Sequence, residues 1–336
     1  MGNTRIGIAI GGPLDTLGET AKRVEDAGFE SIWVPETART AYISAAVVAQ
    51  ATSRARIGTG IALAFPRSPV ITAMTARDLA ELSGGRFILG LGTQVKRVNE
   101  LRYSTPFEHP APKMRELIDV CRGVWGAFDG APIDHRGRFY TVTMPPFPGA
   151  GPAGPIPIHL AAVNHEMVRL VGERCDGFLG HPFSSPKFLS DVALPSLHEG
   201  LDAAGRKRDE VEVVQSIIVS IADTTEEALV GAKLQIAFYG TTRTYAKVFE
   251  IHGWGDVVGP LRAAHGRGDF AGMIECITDE MCDEFAAAGT ADEVRDKVRK
   301  FDGLADTVLY NPPWAAPDIA RTADVYERIV DVLAPR

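Results

Sequence analysis

The chain has 336 residues, 45% apolar and 23% charged, a length and composition that bury a sizeable core without disulfides or metals. Its 43 acidic and 35 basic residues leave a formal net charge of −8, and its longest basic run is Arg206-Lys207-Arg208, so no nucleic-acid partner is expected. No apolar run approaches the ~18 residues of a bilayer span, and the first residues lack the apolar core of a signal peptide.

A cytoplasmic protein is expected, with Cys121, Cys175, Cys276 and Cys282 as reduced thiols, since none stands in CxxC spacing. Along the chain, strands are expected at Arg5–Ile10, Ser31–Pro35, Ala55–Ala62, Arg86–Gly90, Ile156–Ala161, Gly177–Gly180, Val211–Ala222 and Thr307–Tyr310. Between them one phrase recurs, as in "AKRVEDAGFESIWVPE", "LAELSGGRFILGLG", "LVGERCDGFLGH" and "KFDGLADTVLYNP". A helical pattern closes on glycine, which supplies the left-handed residue that stops a helix. The run that follows is apolar on both faces, as in a parallel strand covered by helices. Strands alternating with helices in this number predict an α/β fold, a (β/α)8 TIM barrel, in one domain over 1–336. Two stretches exceed what a barrel needs. Residues 132–157, rich in proline, glycine and aromatics, read as a hairpin plus an irregular loop, and 235–289 as short helices. Thr224-x-x-Glu227 and Thr290-x-x-Glu293 are candidate capping boxes at helix starts on each side.

The stretch "SGGRFILGLGTQ" decides between two α/β folds. A dinucleotide loop needs G-x-G-x-x-G after the first strand. Here Gly90-Leu-Gly92-Thr-Gln-Val lacks the third glycine and follows the fourth strand. In a barrel, Gly92, Thr93 and Gln94 instead lie at a strand's C-terminal end, where active sites collect. Glycines there are expected to let a flat ligand approach the backbone. Glu36 and Thr37 end the second strand. A carboxylate there serves as acid or base if burial raises its pKa, or else caps the next helix or pairs with Arg39. His181 ends the sixth strand. No histidine pair has metal-ligand spacing, and there is neither a G-x-S-x-G elbow nor a P-loop, so no metal is expected. Tyr239, Trp254, Tyr310 and Trp314 are candidate pocket aromatics.

In this order, "GFESIWVPE", "RIGTGIALAFPRSPVITAMTARDLAELSGGRFILGLGTQ", "HPAPKMRELIDVCRGVW", "IPIHLAAVNHEMVRLVGERCDGFLGH", "AFYGTTRTYAKVFEIHGWGD" and "GTADEVRDKV" resemble the luciferase-like monooxygenase superfamily. Within it they are similar to the branch using the deazaflavin coenzyme F420, in a subgroup of actinobacterial type. The resemblance implies an F420-dependent oxidoreductase that moves a hydride between the deazaflavin C5 and a small organic substrate. It implies a ring backed by a bulge in the third strand, with a non-prolyl cis peptide at Gly60–Ile61, and by Gly92 and Thr93. It implies phosphate contacts from Ala162, Val163 and Asn164, where many relatives have glycine and proline, and from Ser184, Ser185 and Lys187. Glu36, Thr37, Gln94 and His181 become candidates for proton handling or substrate orientation. F420 sugar-phosphate dehydrogenases have a histidine where Thr37 stands and a glutamate in the loop that here reads Gln94-Val95-Lys96, so that activity is not implied. FMN-dependent monooxygenases share the scaffold, and a non-catalytic cofactor-binding protein and a barrel enzyme without a redox cofactor also stay open. A homodimer through barrel helices is implied.

Overall fold

The computed structural model describes residues 4–147, 154–314 and 319–335. Its short apolar runs form strands β1 (Arg5–Ala9), β2 (Ser31–Val34), β3 (Arg56–Thr59), β4 (Ala62–Leu63), β5 (Phe87–Gly92), β6 (Ile133–Arg136), β7 (Thr141–Met144), β8 (Ile158–Ala161), β9 (Gly177–Gly180), β10 (Glu212–Ile221), β11 (Ala286–Gly289) and β12 (Thr307–Asn311). The main sheet runs β12-β1-β2-β3-β5-β8-β9, and β10 pairs in parallel with both β9 and β12. The result is a closed 8-strand parallel barrel, the α/β TIM-barrel architecture expected from the alternation of strands and helices.

Helices cover the outside, and their ends follow local chemistry. Before the helix Pro69–Leu82, the Ser68 side chain accepts the Val70 amide and proline takes the first helical position. Thr290 and Glu293 form the reciprocal capping box that starts Ala291–Val298, whereas Thr224 caps Thr225–Gly240 by accepting the Glu227 amide at 3.3 Å. Gly28, Gly84 and Gly303 hold positive φ after helical segments, as helix-stopping glycines do. Gly177 departs from that reading. It opens β9, and a Cβ there would meet the His159 ring at 2.4 Å.

Side chains alternate across each strand, so every second residue enters the barrel. At the N-terminal end, the Glu212 carboxylate accepts two hydrogen bonds from Arg56 and one from Arg5, each at 2.7 Å, and one from Thr307 at 2.6 Å. Strands β3 and β10 are not neighbours, so the Arg56–Glu212 pair crosses the interior. Burial pushes the Glu212 carboxyl up, but Arg56, His159 and Thr307 outweigh it and hold the pKa at about 2. The fully enclosed His159, 3.7 Å from Glu212, is pushed by burial down to about 4. Above this polar layer, Trp33, Ile88, Leu179, Val214 and Leu309 fill the middle. Burying each such side chain contributes about 1.5–3 kcal/mol.

Several expectations are corrected. The expected strand Ala55–Ala62 is broken into β3 and β4 at Gly60–Ile61. Strand β11 was not expected: its residues AAAG carry no β-branched side chain, and it forms by pairing with Ile218–Ile221 of β10. Gln235, the expected start of the second insertion, lies inside the helix Thr225–Gly240. Short helices at Ala246–Glu250, Val258–Gly266, Phe270–Glu275 and Asp279–Phe285 follow. Strands β6 and β7 pair as an antiparallel hairpin outside the barrel, and part of the loop after them lies outside the described residues. All four cysteines are free thiols. Among the described residues, no helix is long and apolar enough to cross a membrane.

Candidate active site at the C-terminal rim

One inward-facing layer beyond Trp33 and Leu309, the barrel mouth carries mostly small residues. Gly60, Gly92, Ala161 and Ser216 stand there with Ile61, Asn311 and, just past β9, His181. The Asn311 side-chain amide donates to the Ser216 hydroxyl. The Gly60–Ile61 peptide is cis, at the bond the resemblance implied. The glycines of "GLG" make room for the neighbouring chain. A Cβ on Gly90 would lie 1.8 Å from the Thr59 carbonyl oxygen, and one on Gly92 would lie 2.0 Å from Ile61 Cδ1. The missing side chains therefore admit the bulged β3–β4 segment, and the Ile61 side chain lies against Gly92.

Parallel strands in a closed ring bring the expected residues to one rim, but their side chains have different engagements. Glu36, with its side chain 5% exposed, accepts the Leu63 amide at 2.8 Å and is clamped by the Arg67 guanidinium. It braces the chain on the far side of the cis bond, and its ion partner is Arg67 rather than Arg39. Thr37 is exposed, and its carbonyl accepts from Arg102 at 3.0 Å. Thr93 directs its hydroxyl to the Gln94 carbonyl, while the buried Asn99 amide holds the Thr93 and Val95 carbonyls. Gln94 is left-handed, with φ 57°, and its side-chain oxygen accepts the Val95 amide, so it folds back on its own loop.

In the next two loops, Ala162 is buried and Val163 half-buried. The Asn164 side chain caps the helix His165–Arg174 by accepting the Met167 amide at 3.0 Å. That leaves the earlier first-turn amides to receive an anion. Ser184 is buried. Ser185 is fully enclosed, accepting the Phe188 amide and sharing a 2.9 Å hydrogen bond with His252. The His252 ring stacks on Trp254. Lys187 is exposed and pairs with Asp191 at 2.7 Å.

The wall beside this loop is aromatic. His181 lies 4.7 Å from the Tyr239 ring and 4.3 Å from the Tyr245 ring. The Trp314 indole donates to the Tyr239 hydroxyl at 3.2 Å. Burial pushes the Tyr239 phenol up to about 12 and the His181 imidazole down to about 3. Tyr310, expected as a pocket aromatic, faces outward and packs against Phe29. Ser216, Asn311 and Tyr245 were not expected at the site from the sequence. The first two carry a readable signal, since Glu212, Val214 and Ser216 alternate on one face of β10, as Thr307, Leu309 and Asn311 do on β12. Tyr245 has no such signal, because it lies in an irregular turn. Among the described residues, no group of three or more His, Cys, Asp or Glu side chains is placed to hold a metal ion.

The family model described as luciferase-like monooxygenase matches residues 3–307. A Mycobacterium tuberculosis protein described only as uncharacterised is 38% identical over 309 residues, covering 90% of this chain and 91% of its own length. A putative coenzyme F420-dependent oxidoreductase from the same organism is 30% identical over 332 residues, covering 91% and 94%. The structure of the coenzyme F420 dependent tetrahydromethanopterin reductase from Methanopyrus kandleri matches 98% of each chain with a TM-score of 0.83 at 24% identity. With the family match extending from ahead of β1 to the first residue of β12, the chain belongs to the luciferase-like monooxygenase family.

Proposed function

We propose that the protein is an F420-dependent oxidoreductase that moves a hydride between the deazaflavin C5 and a small organic substrate. The observation that carries this reading is the engagement of Glu36. The carboxylate that follows β2 is held by Arg67 and the Leu63 amide, so it is not free to work as a base. Such a site binds and orients, and a bound redox group carries the chemistry. The mouth fits a flat ring: Gly60, Ala161 and Ser216 carry little side chain, and Ile61, lying over Gly92, offers an apolar face. Bound there, F420 supplies a carbon that gives or accepts a hydride. Ile61 and the Gly92–Thr93 backbone would back the ring. The amides after Val163, the loop of Ser184 and Ser185, and Lys187 would hold the phosphate end. The relative that carries F420 in its name supports the same cofactor.

We propose further that the working form is a homodimer. Ile43, Ile71 and Met74 are 55%, 53% and 42% exposed on the helices Ala41–Ala51 and Pro69–Leu82, which pack side by side. A shared apolar face of this kind suits self-association.

The test is equilibrium binding of oxidised F420 and of FMN to the purified protein at matched salt, with Lys187→Ala beside the wild type. Tighter binding of F420, weakened by the lysine change, is expected. A preference for FMN would redirect the chemistry to oxygen, and binding of neither cofactor would remove the redox reading.

A further inference from the structure

His181 stands at the mouth in a fixed orientation. Its Nδ1 accepts the Phe183 amide at 3.0 Å. A backbone amide only donates, so Nδ1 carries no proton, and a neutral imidazole then holds its proton on Nε2. The amide itself is anchored, because the Phe183 ring is 1% exposed and packs against Phe249 and Phe285 at 5.0 and 4.9 Å. Tyr239 and Tyr245 flank the imidazole. Among the described residues, Nε2 has no hydrogen-bond partner.

From this geometry we propose that His181 is a neutral hydrogen-bond donor that holds a substrate oxygen through Nε2–H, and that the substrate is a ketone or aldehyde, or the corresponding alcohol, with a flat apolar body. This rests on the redox reading above. An uncharged N–H at an aromatic wall selects a carbonyl or hydroxyl oxygen over a carboxylate or phosphate, which would seek a cation. Lys187, the cation of this loop, is paired with Asp191 and assigned above to the phosphate end of the cofactor. Tyr239, Tyr245 and Trp314 supply the surface for the apolar body. His181 gives up no proton in this role. It orients the oxygen and stabilises charge that grows there, while the proton that completes an alcohol comes from water at the mouth. Burial supports the assignment by pushing the imidazole pKa to about 3, well below the working range.

The test uses cofactor-free full-length protein, so failure of the F420 reading leaves it interpretable. Two-bond proton–nitrogen correlation spectra of the imidazoles, assigned with His181→Gln, should show an Nε2–H ring that does not titrate between about pH 5.5 and 8.5. An Nδ1–H ring, or a titration midpoint inside that range, overturns the proposal. In parallel, binding is measured for acetophenone and for α-methylstyrene, which has the same shape but lacks the oxygen. Wild type should prefer acetophenone by about tenfold, the worth of one good hydrogen bond. His181→Phe should abolish the preference, and His181→Gln, which keeps an N–H donor, should retain part of it. Equal binding by the wild type, or a preference that survives in His181→Phe, overturns the proposal.

Discussion

Thr59 and Gly90 hold β3 and β5 together by a reciprocal contact. The Thr59 hydroxyl donates to the Gly90 carbonyl at 2.7 Å and accepts the Gly90 amide at 2.9 Å. The approach is so close that a Cβ on Gly90 would lie 1.8 Å from the Thr59 carbonyl oxygen, whereas one on Gly92 would meet the tip of the Ile61 side chain. Backbone cannot move aside as a side chain can. Gly90→Ala is therefore expected to destabilise the fold by about 3 kcal/mol or more, and Gly92→Ala by about 1–2 kcal/mol. Urea unfolding checks the order. Equal costs would show that β3 yields as easily as Ile61. Because Ile61 must shift, Gly92→Ala should also weaken F420 binding.

The fold was legible in the sequence because the barrel repeats one local pattern, and glycines such as Gly28 and Gly84 punctuate it. The small strand β11 was not legible, since its alanines reveal nothing until β10 is present to pair with them. The rim positions were legible as ends of strands, but their engagements were not. Glu36 meets Arg67 and Leu63 only after β3 has paired with β2 and the chain has passed through the bulge into β4, and the separation between them in sequence carries no periodic signal. The glycines of β5 mark a close approach in either reading. Whether the approaching group is a ligand or Ile61 depends on a bulge in a different strand.

Acid should unfold the protein through its two inward-facing histidines, the buried His159 and the half-buried His181. Burial lowers His159 from 6.5 to about 4 and His181 from 6.5 to about 3. Below pH 6.5 the unfolded chain binds protons that the folded chain refuses. Stability from these groups is thus full above pH 6.5 and lost as the pH falls towards 4 and 3. Glu212, lowered from 4.5 to about 2, adds a loss of the same sign below pH 4.5. Each histidine contributes a slope of about 1.4 kcal/mol per pH unit inside its window. Urea unfolding at pH 6.5, 5.5 and 4.5 should show that slope, and His159→Gln should remove one histidine's share whatever its effect at neutral pH. An unchanged slope would mean that His159 is protonated in the folded state.

The Lys187–Asp191 pair predicts an unusual gain. Both side chains are about half exposed, and the carboxylate lies 2.7 Å from the ammonium. An anion arriving at Lys187 must compete with Asp191, whose acidity the lysine already raises. Asp191→Asn removes that competition. F420 affinity should rise about threefold to tenfold, and the gain should shrink as salt is added. The same change in a Lys187→Ala background should do nothing. If the gain persists without the lysine, the phosphate end binds elsewhere on the rim.

The dimer proposal concentrates on two helices. Ile43, Ile71 and Met74 expose apolar side chains there, whereas the buried positions of Pro69–Leu82 include Thr72, Ala73 and Ala76 on its other side. A charged pair placed on the exposed face leaves the buried side of the helix unchanged, so Ile71→Asp with Met74→Asp should leave the barrel folded. In a symmetric interface each substitution is met twice, and four carboxylates brought together repel strongly. Light scattering should therefore give twice the chain mass for the wild type and the single-chain mass for the double variant, with unchanged circular dichroism. A wild-type monomer refutes the dimer, and a variant that stays dimeric places the interface on other helices.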